Sequence, residues 1–204
     1  MMNLSGHEPE VASNNLMIPL KNYNVNCMSM GFLVDEKAPI VWRGLMVMQA
    51  IDRLLFKVNW APLDILVIDL PPGTGDVQLS ISQNLKVNGS LIVTTPQEIA
   101  LLDARRAIEM FKKVDVKLLG LVQNMSSHKC SNCGNIEHIF GKDGAIKMAN
   151  EIGCQVLGDL PLITNIQRSA DSGQPISIQN IENEASLIYQ QISRQIISNL
   201  DIKQ

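Results

Sequence analysis

Two cysteines separated by two residues, Cys130 and Cys133, have the spacing of a metal-binding turn. Two thiolates three positions apart can bind one metal ion through tetrahedral angles, and Gly134 after them relieves crowding. One such pair supplies only half of a ligand set. Zinc would be completed by His128 and His138, whereas a [4Fe–4S] cluster needs four thiolates and therefore a second chain. A redox disulfide, or two loop cysteines without a role, are the alternatives.

A second candidate site begins at Asp69, where the apolar run Leu66-Val67-Ile68 ends and Pro-Pro-Gly-Thr-Gly-Asp follows. This pattern predicts a buried strand that ends at Asp69 and a turn-rich loop that runs to Asp76. A carboxylate at a strand end can hold a hydrated Mg²⁺, and Gly73 leaves backbone N–H groups open to a phosphate. Such strand ends are where open α/β sheets bind ligands. The alternative is an Asp that caps the next helix.

Two further polar residues are candidates for ligand contacts. Asn124 ends another predicted strand, and its amide can both donate to and accept from the edge of a purine ring. An Asn that turns or caps the chain is the alternative for this position. Arg43 lies beside Trp42, where it would meet a phosphate, stack on the indole or remain a surface residue at a helix start.

The elements that position these residues alternate between strands and helices. We predict strands over 25–33, 66–69, 89–95, 118–123 and 155–159, and helices over 41–58, 77–85 (capped by Asp76), 98–114, 143–152, from about 163, and over 181–199. The Cys-X-X-Cys pair falls in an irregular insertion over 126–140. Because most of the strands are continuously apolar, the pattern predicts an α/β fold with a parallel, doubly wound sheet covered on both faces.

The composition limits the classes of function. A hydrophobic fraction of 46% over 204 residues is typical of a folded chain, and a net charge of −3 with scattered basic residues gives no reason to expect a nucleic-acid partner. No apolar run approaches the ~20 residues of a membrane span. Four cysteines are too few for a secreted disulfide framework. We expect residues 1–22 to form a poorly ordered N-terminal segment and residues 23–204 to form one domain.

Several motifs together occur in the order typical of one known family and cover nearly the whole chain. They are Met28-Ser29-Met30-Gly31-Phe32-Leu33-Val34, Val41-Trp42-Arg43-Gly44, Val67-Ile68-Asp69-Leu70-Pro71-Pro72-Gly73-Thr74-Gly75-Asp76-Val77-Gln78-Leu79, Val122-Gln123-Asn124-Met125-Ser126, the Cys-X-X-Cys pair and Gly158-Asp159-Leu160-Pro161. With them the chain resembles the Mrp-like, MinD-related P-loop ATPases that carry iron–sulfur clusters. Leu45 after Arg43-Gly44, where most bacterial members have Pro, resembles the mitochondrial branch that assists assembly of respiratory complex I.

This resemblance implies a role for each candidate residue. Asp69 would be the Walker B acid near Mg²⁺, Gly73 would approach the terminal phosphate of ATP, Asn124 would contact adenine and Pro161 would border the base. Cys130 and Cys133 would bind half of a [4Fe–4S] cluster that bridges two subunits of a homodimer. The resemblance also implies a SIMIBI-type P-loop NTPase fold, recipient apoproteins as partners and a place in the mitochondrial matrix, although no presequence is visible.

One part of the family pattern is missing. Family members carry a glycine-rich deviant Walker A loop and an Asp-rich switch I, whereas these 204 residues contain no Gly-X-X-X-X-Gly-Lys-Ser/Thr pattern. The resemblance therefore implies an N-terminally truncated domain with little or no ATPase activity, because phosphoryl transfer depends on positioning and charge stabilisation by those groups. Such a chain would act as a cluster carrier, as a binding module that pairs with a full-length subunit, or as a zinc-stabilised domain.

Overall fold

The computed structural model describes residues 1–33, 44–71, 73 and 75–200. The chain forms two compact units, residues 1–71 and residues 72–204. One domain over 23–204 stays a prediction; the two compact units divide between Pro71 and Pro72. Two consecutive prolines lack backbone N–H donors, so a continuous ladder of hydrogen bonds is not expected to run through this point. Trp42, Arg43 and Thr74 lie outside the described residues.

The first unit contains a β-hairpin and a helix. Its elements are β1 (Leu20–Asn22), β2 (Val25–Cys27) and α1 (Gly44–Phe56). Tyr23 and Asn24 connect β1 to β2 with φ values of +49° and +61°, which is the backbone pattern of a type I′ hairpin turn. The strand predicted over 25–33 ends early, because Ser29 caps a 3₁₀ turn over Met30–Phe32 by accepting the Gly31 N–H at 3.2 Å.

Residues 1–22 make more backbone hydrogen bonds than their polar composition suggests. The Ile18 N–H donates to the Glu10 carbonyl at 2.8 Å, and the Met17 N–H donates to the Lys57 carbonyl at 2.8 Å. The segment therefore has partners for its backbone, some of them distant in sequence. The composition predicted a poorly ordered segment, and this stays a prediction; the structure places the three residues of β1 at its end.

The strand predicted to deliver Asp69 is not present. Within residues 44–71, the stretch from Leu66 to Leu70 belongs to no strand, Val67 is 84% exposed and the Asp69 side chain is exposed. An apolar run becomes a strand only when another strand satisfies its backbone groups. The pattern identified a segment with strand propensity, but the described residues supply no ladder for it.

The second unit contains a parallel sheet covered by helices. Its elements are α2 (Asp76–Asn84), β3 (Ser90–Thr94), α3 (Glu98–Lys113), β4 (Leu118–Asn124), β5 (His128–Lys129), β6 (Ile136–Glu137), α4 (Gly144–Ile152), β7 (Val156–Leu160), α5 (Thr164–Asp171), α6 (Ile176–Gln179) and α7 (Glu184–Asn199). The sheet order is β3-β4-β7, and both pairings are parallel. The predicted α/β architecture with a parallel sheet is confirmed.

Helices cover both faces of this sheet. Val122 of β4 packs in a cluster with Ile192 of α7, whereas the next residue, Gln123, accepts a hydrogen bond from the backbone of α4. Because successive strand residues point to opposite faces, α7 and α4 lie on opposite sides of the sheet. At Gly144, a Cβ would collide with the Pro96 carbonyl oxygen, so α4 begins in direct contact with the segment that follows β3.

Most element boundaries agree with the predictions within three residues, and the second unit differs in three points. The first is the short helix α6, which was not predicted. Gly75, not Asp76, is the N-cap of α2, and Asp76 is its first helical residue. The insertion over 126–140 is not wholly irregular, because β5 and β6 pair in an antiparallel hairpin. Among the described helices, none is both long and apolar enough to cross a membrane.

Gln123 joins three elements at the carboxyl edge of the sheet. Its side chain is 1% exposed, donates through Nε2 to Asp159 Oδ1 of β7 at 2.9 Å, and accepts the Ala145 N–H of α4 at 3.0 Å. The Ala145 amide is one of the N–H groups that the first turn of a helix leaves without an intrahelical partner. Gln123 therefore satisfies a buried helix end.

We expect Gln123→Leu to lower the free energy of unfolding by about 1–3 kcal/mol, because a leucine of similar size leaves the buried Ala145 N–H without an acceptor. Denaturant unfolding measures the change. Gln179→Leu, at an exposed position at the end of α6, is the matched control and should unfold like the wild type. Equal loss of stability in both variants would contradict this role for Gln123.

Candidate functional site

The Cys pair lies on the loop of the β5–β6 hairpin. His128 faces Glu137 across the ladder, and the Cys130 N–H donates to the Asn135 carbonyl at 2.9 Å, which extends the pairing into the loop. The Gly134 N–H donates back to the Cys130 carbonyl at 2.9 Å and closes a tight turn around both cysteines. This segment, residues 128–137, is the Cys hairpin.

Gly134 has a backbone conformation that favours glycine. Apart from its two chain neighbours, no atom of the described residues lies within 4 Å of the position that a Cβ would occupy, and the relief of crowding around a metal-bound pair stays a prediction. The residue has φ +75°, in the left-handed region that favours glycine. Its conformation turns the chain so that the N–H of Gly134 points back to Cys130.

The Cys hairpin lowers the pKa of the Cys130 thiol. The backbone N–H of Cys133 has the largest effect, followed by the N–H of Asn132 and the Cys133 thiol; all three stabilise the thiolate by hydrogen bonding. The Glu137 carboxylate opposes them. In contrast, burial raises the pKa of the Cys27 and Cys154 thiols. Cys130 therefore has the best stabilised thiolate of these three cysteines.

The described part of the chain does not complete a metal site around this pair. No group of three or more His, Cys, Asp or Glu side chains within residues 1–33, 44–71, 73 and 75–200 lies close enough to hold a metal ion. The histidines predicted to complete a zinc site each bond a backbone carbonyl through one ring nitrogen: His128 Nδ1 bonds the Leu162 carbonyl at 3.3 Å and His138 Nδ1 bonds the Ser126 carbonyl at 2.8 Å. The zinc site stays a prediction, because Nε2 is the second nitrogen of each ring that can bind a metal. The chain offers a metal two thiolates from one turn.

Asn124 and Pro161 lie at the carboxyl edge of the sheet, on neighbouring strands. Asn124 ends β4, Pro161 follows β7, and the loops after them are joined where the Leu162 N–H donates to the Ser127 carbonyl at 2.7 Å. The Asn124 Oδ1 accepts the Met125 N–H at 3.0 Å, and Met125 has φ +56°. The amide of Asn124 therefore turns the chain through its oxygen, while Nδ2 remains available to donate to a ligand.

The two residues assigned to phosphate and Mg²⁺ belong to different units. Asp69 is an exposed residue near the end of the first unit, and Gly73 is an exposed residue at the start of the second. Gly73 has φ +97° and open space around its α-carbon, which agrees with a backbone that can approach a ligand closely.

Sequence reasoning missed two features of this site. It did not identify Gln123, which supports the edge that carries Asn124, or the histidine hydrogen bonds at the base of the Cys hairpin. A polar residue inside the apolar run 118–123 was a signal for the first. The signal for the histidine hydrogen bonds was that two of the chain's three histidines flank one Cys pair. We interpreted that pattern as a set of metal ligands.

Comparison with known proteins gives close relatives. A family model described as ParA, NUBPL iron-transfer P-loop NTPase, matches residues 1–197. The chain is 54% identical over 200 residues to the mouse iron–sulfur cluster transfer protein NUBPL, covering 98% of this chain and 62% of that protein. It is 48% identical to an Arabidopsis thaliana iron–sulfur protein required for NADH dehydrogenase, mitochondrial, covering 98% of this chain and 64% of that one. The chain thus spans less than two thirds of the length of these relatives.

Solved structures agree with the fold. A nucleotide-binding protein from Archaeoglobus fulgidus, in complex with ADP and with cobalt found, superposes with a TM-score of 0.72 at 30% identity, covering 90% of this chain and 70% of that one. The cell-division protein MinD from Aquifex aeolicus superposes with a TM-score of 0.53 at 17% identity, covering 76% of this chain and 58% of that one, which shows the fold alone. On these matches the chain belongs to the ParA/NUBPL family of iron-transfer P-loop NTPases.

Proposed function

We propose that this chain is part of an iron–sulfur cluster carrier that holds a [4Fe–4S] cluster between the Cys130 and Cys133 thiolates of two copies and delivers it to recipient apoproteins. The observation that carries the proposal is the half set of ligands. Two thiolates lie on an accessible turn, and the described residues of the same chain add no third ligand. A [4Fe–4S] cluster takes four thiolates, which two such turns related by two-fold symmetry supply.

The chemistry of the Cys hairpin suits a cluster that is bound and then released. Iron binds the thiolate and not the thiol, so hydrogen bonds that lower the pKa of Cys130 favour binding near neutral pH. Cys133 is exposed, so an incoming thiolate of a recipient protein can reach the cluster. The Arabidopsis relative named above is required for NADH dehydrogenase, and this supports recipients in respiratory complex I and a location in the mitochondrial matrix.

The same family membership supports a nucleotide at the edge formed by Asn124 and Pro161. The Asn124 Nδ2 would donate to the base, and the half-buried Pro161 would pack along its edge. For the phosphates the fit is incomplete, since the 204 residues hold no Gly-X-X-X-X-Gly-Lys-Ser/Thr pattern and Asp69 is exposed outside any strand. We assign Asp69 and Gly73 to Mg²⁺ and phosphate in an assembly that also has a phosphate-binding loop.

Pairing with a longer copy of the family is the second candidate function. The Cys hairpin is equally able to face an identical hairpin on a longer subunit, because a symmetric site uses the same surface on both partners. Co-purification of the 204-residue chain with a longer family member, in competition with self-association, distinguishes this function from that of a homodimeric carrier.

Anaerobic reconstitution with iron and sulfide tests the ligands. The wild-type chain should bind about two iron atoms per chain as a dimer, and Cys130→Ser or Cys133→Ser should lose most of this iron, because each removes a thiolate from both halves of the site. Cys154→Ser is the control and should retain it. Iron binding that is unchanged in both ligand variants would refute the proposed function, and zinc retained without iron would favour a zinc-stabilised domain.

Alkylation by iodoacetamide should modify Cys130 faster than Cys27 and Cys154 at neutral pH. A lowered pKa leaves a larger thiolate fraction at Cys130, whereas burial raises the pKa of the other two thiols. As the pH falls, labelling of Cys27 and Cys154 should therefore be lost before labelling of Cys130. Peptide mass spectrometry measures the three rates, and equal rates under denaturing conditions serve as the control. Faster labelling of Cys154 in the folded chain would contradict the hydrogen-bonding scheme.

We expect the 204-residue chain to hydrolyse ATP no faster than background in the presence of Mg²⁺. Catalysis of phosphoryl transfer needs phosphate-binding groups that these residues do not include. Phosphate release by the purified chain measures the rate, and Asp69→Asn should give the same background. Mg²⁺-dependent hydrolysis that Asp69→Asn abolishes would show that the phosphate site is already complete.

A further inference from the structure

The two histidines at the base of the Cys hairpin make the same kind of hydrogen bond. His138 Nδ1 lies 2.8 Å from the Ser126 carbonyl oxygen, and His128 Nδ1 lies 3.3 Å from the Leu162 carbonyl oxygen. A carbonyl oxygen only accepts, so in both rings Nδ1 carries the proton and donates it. Nδ1 is the ring nitrogen closer to the backbone of the histidine. Each hydrogen bond therefore links the base of the hairpin to a loop carbonyl over a short distance.

The two acceptors belong to the loops that carry Asn124 and Pro161. Ser126 lies two residues after Asn124, and Leu162 follows Pro161 directly. These loops are joined by the Ser126 N–H, which donates to the Leu160 carbonyl at 3.0 Å, and by the Leu162 N–H, which donates to the Ser127 carbonyl at 2.7 Å. The histidines therefore connect the Cys hairpin to a hydrogen-bonded edge that is already held together.

The other described features of the hairpin contribute little to its orientation. β5 and β6 contain two residues each, and a hairpin of this size is marginal in water. Ile136 and Ile139 are 60% and 55% exposed, so apolar packing of these two residues does not hold it in place. A site shared by two subunits requires each thiolate pair to be preorganised within fractions of an ångström.

We propose that His128 and His138 are positioning residues that lock the Cys hairpin onto the loops of Asn124 and Pro161 and so preorganise the two thiolates for metal binding. This inference rests on the proposed function, in which Cys130 and Cys133 bind metal. It assigns the histidines a role as hydrogen-bond donors to the backbone through Nδ1. The same connections place the metal-binding turn and the candidate nucleotide edge in one hydrogen-bonded unit.

Cobalt(II) titration of the full chain under anaerobic conditions tests this role, because thiolate-to-cobalt charge transfer gives an absorbance band that reports binding. His138→Phe keeps a ring but removes the donor, and we expect it to weaken Co²⁺ affinity about fivefold, the value of one hydrogen bond. His128→Phe should have a smaller effect, because its hydrogen bond is longer. His138→Asn places an amide N–H near the position of Nδ1 and should restore affinity to within about twofold.

The matched control is His7→Phe. His7 is the remaining histidine of the chain, lies in the first unit and also bonds a backbone carbonyl through Nδ1, that of Ser5 at 3.2 Å. The His7→Phe variant should leave Co²⁺ affinity unchanged. Thermal unfolding of every variant separates weaker binding from loss of the fold, and if His138→Phe does not fold, His128→Phe and His138→Asn carry the test.

The outcomes distinguish this inference from the function on which it rests. A wild-type chain without a thiolate-to-cobalt band would overturn both. If the wild type shows the band and both His128→Phe and His138→Phe bind Co²⁺ as tightly as the wild type, the positioning role alone is overturned. The same conclusion follows if His7→Phe weakens Co²⁺ binding as much as they do, or if His138→Asn does not restore it. Weaker Co²⁺ binding by His128→Phe and His138→Phe, with affinity restored in His138→Asn, supports the proposal.

Discussion

The parallel pairing of β4 with β3 on one side and β7 on the other is the interaction on which the second unit depends. Two parallel strands need a crossover connection between them. This explains why α3 lies between β3 and β4 in the chain and why α4 lies between β4 and β7. It also places the ends of β4 and β7 at the same edge. Asn124, Pro161 and the base of the Cys hairpin all follow from that single arrangement of strands.

Side-chain hydrogen bonds at the carboxyl edge of the sheet hold the strands, loops and helix α4 together around the candidate site. Gln123 is buried within the sheet, where an unpaired amide would be costly, and it satisfies both a helix N-terminus and the side chain of Asp159. His128 and His138 act in a similar way farther along the chain: each donates a hydrogen bond from Nδ1 to a loop carbonyl. Cys130 and Cys133 on the hairpin and the candidate base-binding residues thus share one supporting network.

The first unit contrasts with this arrangement. Its apolar stretch Leu66–Leu70 has the composition of a buried strand, yet Val67 is 84% exposed and the stretch joins no ladder within the described residues. Strand propensity describes how well side chains pack on a pleated surface, and it takes effect only when a neighbouring strand is present.

The sequence by itself determined the α/β class, the position of most helices in the second unit and the two cysteines, because hydrophobic period and residue spacing are local properties. The motif order was also sufficient to identify the family. Only the tertiary structure decided that Nδ1 of His128 and Nδ1 of His138 bond loop carbonyls and that Asp69 lies outside a strand. Each depends on which distant backbone groups become neighbours, and local pattern does not specify that.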